Sequence, residues 1–339
     1  AGSSTLTLGG ASSYTGPTTI NDGTLQIGAG GTAGSLNPAS AITINSTLSF
    51  NRSDTLTQGT DFGTIGGTGV VTKIGANTLV LNSANTYSGG TVLQTGTISV
   101  GHSAALGSSE GAFTMGSNTT LALNGNTISV GSLTGTSGPI TSSGGALEVS
   151  GDVAVGIGTN TAALGSVILT GSDQTLSISG STAKVTGDLT IGANSNNLVF
   201  FTSNSGGVEN NMNITGSGNI NVTGLSASPN YQIVWGGNNS GWTGDLFINS
   251  GSVRFEAANA ISAANAVYFT DVGPHATRLA IAAAAVTVGG LQGNAGTIMR
   301  YYTTPTGVLT IDTGGSSYSF WGDIIPGTGP LSITKTGAA

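Results

Sequence analysis

The chain has 339 residues with 58 glycines, 6% charged residues, no cysteine and a formal net charge of −7, a composition unlike that of an ordinary globular enzyme. Apolar residues make up 37% and mean hydropathy is positive, which excludes the low-hydropathy, high-charge class of disordered chains. The seven basic residues, Arg52, Lys73, Lys184, Arg254, Arg278, Arg300 and Lys335, are scattered singly, so nucleic acid and anionic lipid find no basic patch.

The first predicted strand is Thr5-Leu6-Thr7-Leu8, where apolar residues alternate with Thr in the period-two pattern of a strand with one buried face. Asp22-Gly23 supplies a turn, and Thr24-Leu25-Gln26-Ile27 is the next alternating strand. The stretch from Thr5 to Gly28 then returns, without a gap, as Thr78 to Gly101, with ten of 24 positions identical. Among the matches are Leu6/Leu79, Leu8/Leu81, Tyr14/Tyr87, Gly16/Gly89, Gly23/Gly96 and Gly28/Gly101. Between the copies, Phe62, Gly67-Thr68-Gly69 and Thr72-Lys73 pair with Trp321, Gly327-Thr328-Gly329 and Thr334-Lys335 near the other end.

Further along, Asn124-Gly125 offers hairpin-turn chemistry, and Val130-Gly131-Ser132-Leu133 recurs as Val288-Gly289-Gly290-Leu291. Residues 150–235 have no partner elsewhere. A third, weaker copy places Trp242, Gly244, Gly251 and Val253 where the first has Tyr14, Gly16, Gly23 and Leu25, with the same spacing from aromatic to second glycine in all three. Glu256 to Ala266 is the one stretch whose alanine content suggests a short helical turn, and Ala280 to Ala285 reads as a tightly packed strand or corner.

Strands of four to six residues bracketed by Gly, Asn, Ser or Asp also fit a sandwich or barrel. Repetition over tens of residues, the low charge and the Thr, Ser and Asn on outward positions favour coils stacked along one axis. The expected fold is all-β, a right-handed parallel β-helix (β-solenoid) running as a single continuous structure through residues 1–339, with coils of about 22 residues. Apolar residues build inward ladders, and Asn and Thr build hydrogen-bonded ladders at the corners.

The string from Gly67-Thr68-Gly69 through Thr72-Lys73, Thr78-Leu79-Val80-Leu81, Asn85-Thr86-Tyr87-Ser88-Gly89-Gly90-Thr91 and Gly96-Thr97-Ile98 resembles the strand repeat associated with bacterial autotransporter passengers. The resemblance covers residues 62–101 nearly completely, 5–28 and 320–337 as half-motifs, and 239–255 weakly. It implies a right-handed β-helix displayed outside a bacterial cell as a stalk, an adhesin or part of a giant surface protein. No C-terminal segment resembles the translocating outer-membrane barrel of that family. No apolar run approaches the roughly 18 residues of a membrane-spanning helix, so no membrane insertion is expected within these residues.

Leu331 to Gly337 and Thr5 to Leu8 are successive halves of one motif. Either the chain is an excerpt of a longer repeat protein, or separate copies associate end to end into a fibre. A surface glycan or protein ligand is a further possible partner.

Enzymatic chemistry requires clustered carboxylates or a base beside Arg. Near acidic pairs such as Glu148/Asp152, Asp54/Asp61 and Asp312/Asp323 fall on strand and turn segments where corner or solvent roles account for them. His102 and His275 stand without a second His or a Cys and read as turn residues. Gly206-Gly207-Val208-Glu209-Asn210-Asn211 lacks the repeated form of a calcium-binding nonapeptide. Tyr14, Tyr87 and Trp242 form either a carbohydrate-stacking stripe or an aromatic packed over a glycine corner, and the second reading is preferred. Tyr231, Trp235 and Trp242, or Tyr301-Tyr302 with Trp321, are the clusters best suited to sugars. No residue is assigned a catalytic, cofactor-binding or metal-binding role; the chain is read as a non-enzymatic structural protein.

Overall fold

A computed structural model describes residues 4–136, 138–158, 161–172, 174–180, 184–193, 198–199, 208–222, 232–270, 277–293, 297–300, 307–325 and 330–337. The described residues contain strands, turns and bends and no helix. They fall into two compact units, Ala1–Val153 with Ala163–Ile168, and Ala154–Ala162 with Leu169–Ala339. Both are built from parallel strands stacked coil on coil, the β-solenoid expected from the alternation and the repeats.

In the first unit one sheet stacks Thr5–Leu8, Thr24–Ile27, Thr47–Phe50, Val70–Lys73, Thr91–Leu93, Ala112–Met115 and Ser132–Thr136 in that order. A second stacks Leu56–Thr57, Thr78–Leu81, Gly96–Val100, Thr119–Ala122 and Ile140–Thr141. A third side holds Thr18–Ile20, Ile42–Ile44 and Ile65–Gly67, and beyond them Thr86 and Ser88 donate backbone N–H groups to Ile65 and Gly67 at 2.9 and 3.0 Å. Register follows the buried face. Ile27, Phe50, Lys73, Leu93 and Met115 are successive rungs of one inward ladder, and burying such side chains is the main stabilising term.

The long sequence repeat is three coils plus one side. Thr5 lies under Thr24, Thr47 and Val70 in one sheet; Thr78, its counterpart in the second copy, begins a strand of the neighbouring sheet. Each copy is therefore turned by one side relative to the last, while its internal register survives: Thr5 pairs with Thr24 and, at the same spacing, Thr78 with Thr97.

Corners use the chemistry the sequence offered. Gly23, Gly96 and Gly251, the second glycines of the three copies, have φ of 70°, 78° and 80°, a region that disfavours any residue with a Cβ. Asn124 and Gly125 both have positive φ, 50° and 81°, and Asn126 N–H bonds Leu123 C=O at 2.9 Å. This primed turn joins two strands on different sheets, so it serves as a coil corner and makes no hairpin. Amide and hydroxyl ladders run between coils as expected: Asn45 Nδ2 donates to Asn21 Oδ1 at 3.1 Å, and Thr114 and Thr134 hydroxyls meet at 3.1 Å.

In the second unit one sheet stacks Lys184–Ile191, Val208–Gly216, Gln232–Trp235, Ser252–Phe255, Arg278–Ile281, Thr297–Arg300 and Asp323–Ile325. A second stacks Leu198–Val199, Ile220–Val222, Leu246–Ile248, Ala266–Phe269 and Gly290–Gly293; a third, Ala285–Val288, Gly307–Asp312 and Leu331–Thr336. The helical turn expected in Glu256 to Ala266 is absent. Ala260 N–H bonds Ala257 C=O and Asn265 N–H bonds Ser262 C=O, giving two reverse turns. Burial of Ala260 and Ile261 in the corner overrides alanine's helix propensity.

Candidate functional site

The three recurring aromatics do not form a sugar-binding stripe. Tyr87 and Trp242 are fully buried. Tyr87 Oη and Thr91 Oγ1 hydrogen-bond at 2.7 Å, Tyr14 Oη and Thr18 Oγ1 do the same at 2.6 Å, and Trp242 Nε1 donates to Gly218 C=O at 2.8 Å. Burial pushes the Tyr87 phenol above its ordinary range. Trp235 is also buried, stacked on Trp242 with centroids 6.0 Å apart. Tyr231 and Tyr301-Tyr302 lie outside the described residues.

Sequence reasoning missed an outward aromatic ladder: Phe247 stacks on Tyr268 at 4.6 Å, and Tyr318 meets Tyr268 edge-on at 6.5 Å. Register pairing of Phe247 with Tyr268 stacks the two rings on each other, so this pair adds coil-to-coil adhesion and offers no open platform to a sugar. The signal for it was the in-phase placement of these residues on strands one coil apart.

Of the acidic pairs, Asp54 and Asp61 are brought together by a cation. Arg52 donates from Nε to Asp54 Oδ1 at 2.7 Å and from one terminal nitrogen to Oδ2 at 2.5 Å; its other terminal nitrogen donates to Gly34 C=O at 3.0 Å and lies 3.7 Å from Asp61 Oδ1. Asp61 Oδ2 accepts from Thr57 N–H at 2.8 Å. The hydrogen bond from Arg52 holds the Asp54 carboxyl below its ordinary value, and the same bond raises the guanidinium. Two acids and a cation therefore converge, but the Arg52 side chain is buried with its donors engaged, the arrangement of a corner clamp. Glu148 accepts from Ser129 Oγ at 2.7 Å, and Asp312 and Asp323 belong to different sheets. His102 Nδ1 accepts from Ala104 N–H at 3.0 Å in a turn, and His275 lies outside the described residues. Among the described residues, no three of His, Cys, Asp and Glu come together as a metal site.

Lys73 was not singled out from the sequence, although Val70-Val71-Thr72-Lys73 places it in phase with the buried Val71. Its fully buried side chain donates to the carbonyls of Gly75 and Thr95. Burial pushes the ammonium down to about 8. Lys335 ends the ladder Val288, Ile311, Lys335 in the same way and donates to Gly337 C=O at 3.1 Å, yet it is exposed.

The large apolar side chains exposed among the described residues lie in the first and last coils. In the first unit, Thr5–Leu8 pairs with Thr24–Ile27 alone and Thr18–Ile20 with Ile42–Ile44 alone. Leu6 is 63% and Tyr14 43% exposed, and Leu6, Leu8, Tyr14, Ile20 and Leu25 line an open cleft of about 370 Å³. In the second unit, Leu331–Thr336 pairs with Gly307–Asp312 alone, and Trp321, Ile324 and Ile333 are exposed.

A family model described as passenger-associated-transport-repeat matches residues 1–27 and 71–100, which overlap the two gapless copies at 5–28 and 78–101. Over 190 residues the chain is 35% identical to the Adhesin BmaC autotransporter of Brucella suis biovar 1 (strain 1330), an alignment covering 47% of this chain and 5% of that protein. The chain thus spans a small fraction of the relative's length. No solved structure matches. The strands and corners at residues 1–27 and 71–100 of this parallel β-solenoid are thus similar to the passenger-associated-transport repeat.

Proposed function

We propose that the chain is an extracellular segment of a bacterial cell-surface protein, a non-enzymatic β-solenoid that serves as a displayed stalk. The observation that carries this reading is that the passenger-associated repeats at 1–27 and 71–100 are the coil-forming units themselves. The sides of the coils support it: polar ladders of Asn and Thr, buried aromatics, and acids engaged with Arg52 or Ser129. An adhesive role is the second reading, favoured by the printed name of the Brucella relative.

Antibodies raised against the purified chain test it. Labelling of intact cells of the source organism, and loss of that label on protease shaving, is the expected outcome. Labelling only after permeabilisation contradicts it.

A further inference from the structure

Asn124-Gly125 is the one Asn-Gly pair in the sequence, and it lies at an exposed coil corner. Neighbouring coils hold both of its reactive groups. Asn124 Nδ2 donates back to Ser99 Oγ at 2.8 Å and to Val100 C=O at 3.1 Å. Gly125 N–H donates forward to Ser142 C=O at 3.0 Å, just before the next corner, where Ser143 and Gly144 repeat the positive φ at 49° and 92°. The strands that bring these corners into line are Gly96–Val100, Thr119–Ala122 and Ile140–Thr141, paired in that order. The corner is tied to the preceding coil by its side chain and to the following coil by its backbone nitrogen.

We infer that Asn124-Gly125 is a modification site controlled by coil stacking: the asparagine deamidates when the coils on either side part from it, and the product keeps the corner from closing again. The step is intramolecular. The Gly125 nitrogen, having given its proton to hydroxide, bonds to Asn124 Cγ; the Cγ–Nδ2 bond breaks and ammonia leaves. Water then opens the cyclic imide at one carbonyl or the other, leaving an aspartyl or an isoaspartyl linkage. Glycine has no Cβ to hinder the attack, and exposure of the corner admits the water. While the coils are stacked, the attacking N–H is engaged by Ser142 and the departing amide by Ser99 and Val100, so reaction waits for local opening. Afterwards a carboxylate oxygen replaces the donor to Val100 C=O and repels it, and the isoaspartyl form lengthens the turn's backbone by one carbon. The site therefore records unstacking of these coils irreversibly. This inference stands independently of surface display, and neither depends on the other's outcome.

Peptide mapping by mass spectrometry, after incubation of the whole chain at mildly alkaline pH, tests it. Asn124 is expected to convert in urea, and at least about tenfold more slowly in native buffer. Ile140 is buried and anchors the following coil, so I140A should speed conversion in native buffer several-fold while keeping the folded circular dichroism spectrum. S99A removes an exposed acceptor of the amide and should act in the same direction, which keeps the test decisive if I140A fails to fold. Chains converted in urea and returned to native buffer should lose protease resistance around this corner, whereas chains passed briefly through urea, before conversion, regain it. Equal rates in urea and in native buffer overturn the inference. Rates unchanged by both variants overturn it too, as does full recovery of protease resistance by converted chains.

Discussion

Lys73 occupies an inward rung between Phe50 and Leu93, and desolvation lowers its ammonium from 10.5 to about 8. Between those two pH values the unfolded chain holds the proton while the folded chain releases it, so stability rises with pH across that window. Below about pH 8 the folded chain carries a charged lysine in a desolvated site. Lys73→Met should abolish the rise and, at pH 7, stabilise the chain by about 1–2 kcal/mol, read from denaturant midpoints at pH 7 and 10. Unchanged pH dependence in the variant would show that Lys73 does not titrate as described. Gly96 makes a second test at this scale. Its φ is 78°, and a Cβ there would stand 2.4 Å from Asn77 O, so Gly96→Ala should cost about 2–4 kcal/mol by the same measurement, while Gly9→Ala, which meets no neighbour, costs less than about 1 kcal/mol.

At the scale of the element, corner asparagines tie each coil to the ones on either side. Asn85 Oδ1 accepts from Ile65 N–H at 2.9 Å and its Nδ2 donates to Ala105 C=O at 2.7 Å; Asn239 accepts from Ile214 N–H at 2.7 Å and donates to Ala260 C=O at 2.9 Å. Both are buried. Removing either amide leaves a buried donor and a buried acceptor, so N85A and N239A should each lose about 2–4 kcal/mol by chemical denaturation. The exposed Asn45, in a solvated ladder, should change by less than about 0.5 kcal/mol as N45A. Equal losses at all three sites would place the corner energetics elsewhere. Alternation alone identified the strands, because one face of each is buried and the side-chain period is two. Corner lengths were less legible. Coils differ in length, the step from Leu279 to its partner Ile298 being shorter than the next, from Ile298 to Ile324. The segment without sequence partners, 150–235, holds the longest strands, such as Thr161–Leu169 and Val208–Gly216. Inward Met212 and Ile214 are fully buried there, so a stacking coil needs an apolar phase and tolerates loss of the motif.

For the whole molecule, the repeat of three coils plus one side means that its halves meet wherever one copy follows another. Solenoid stability is a sum of coil and interface terms. Labelling of intact cells of the source organism with antibodies against the chain tests the account most directly. Label present on intact cells and lost on protease shaving is the predicted result; label that appears only after permeabilisation would contradict it.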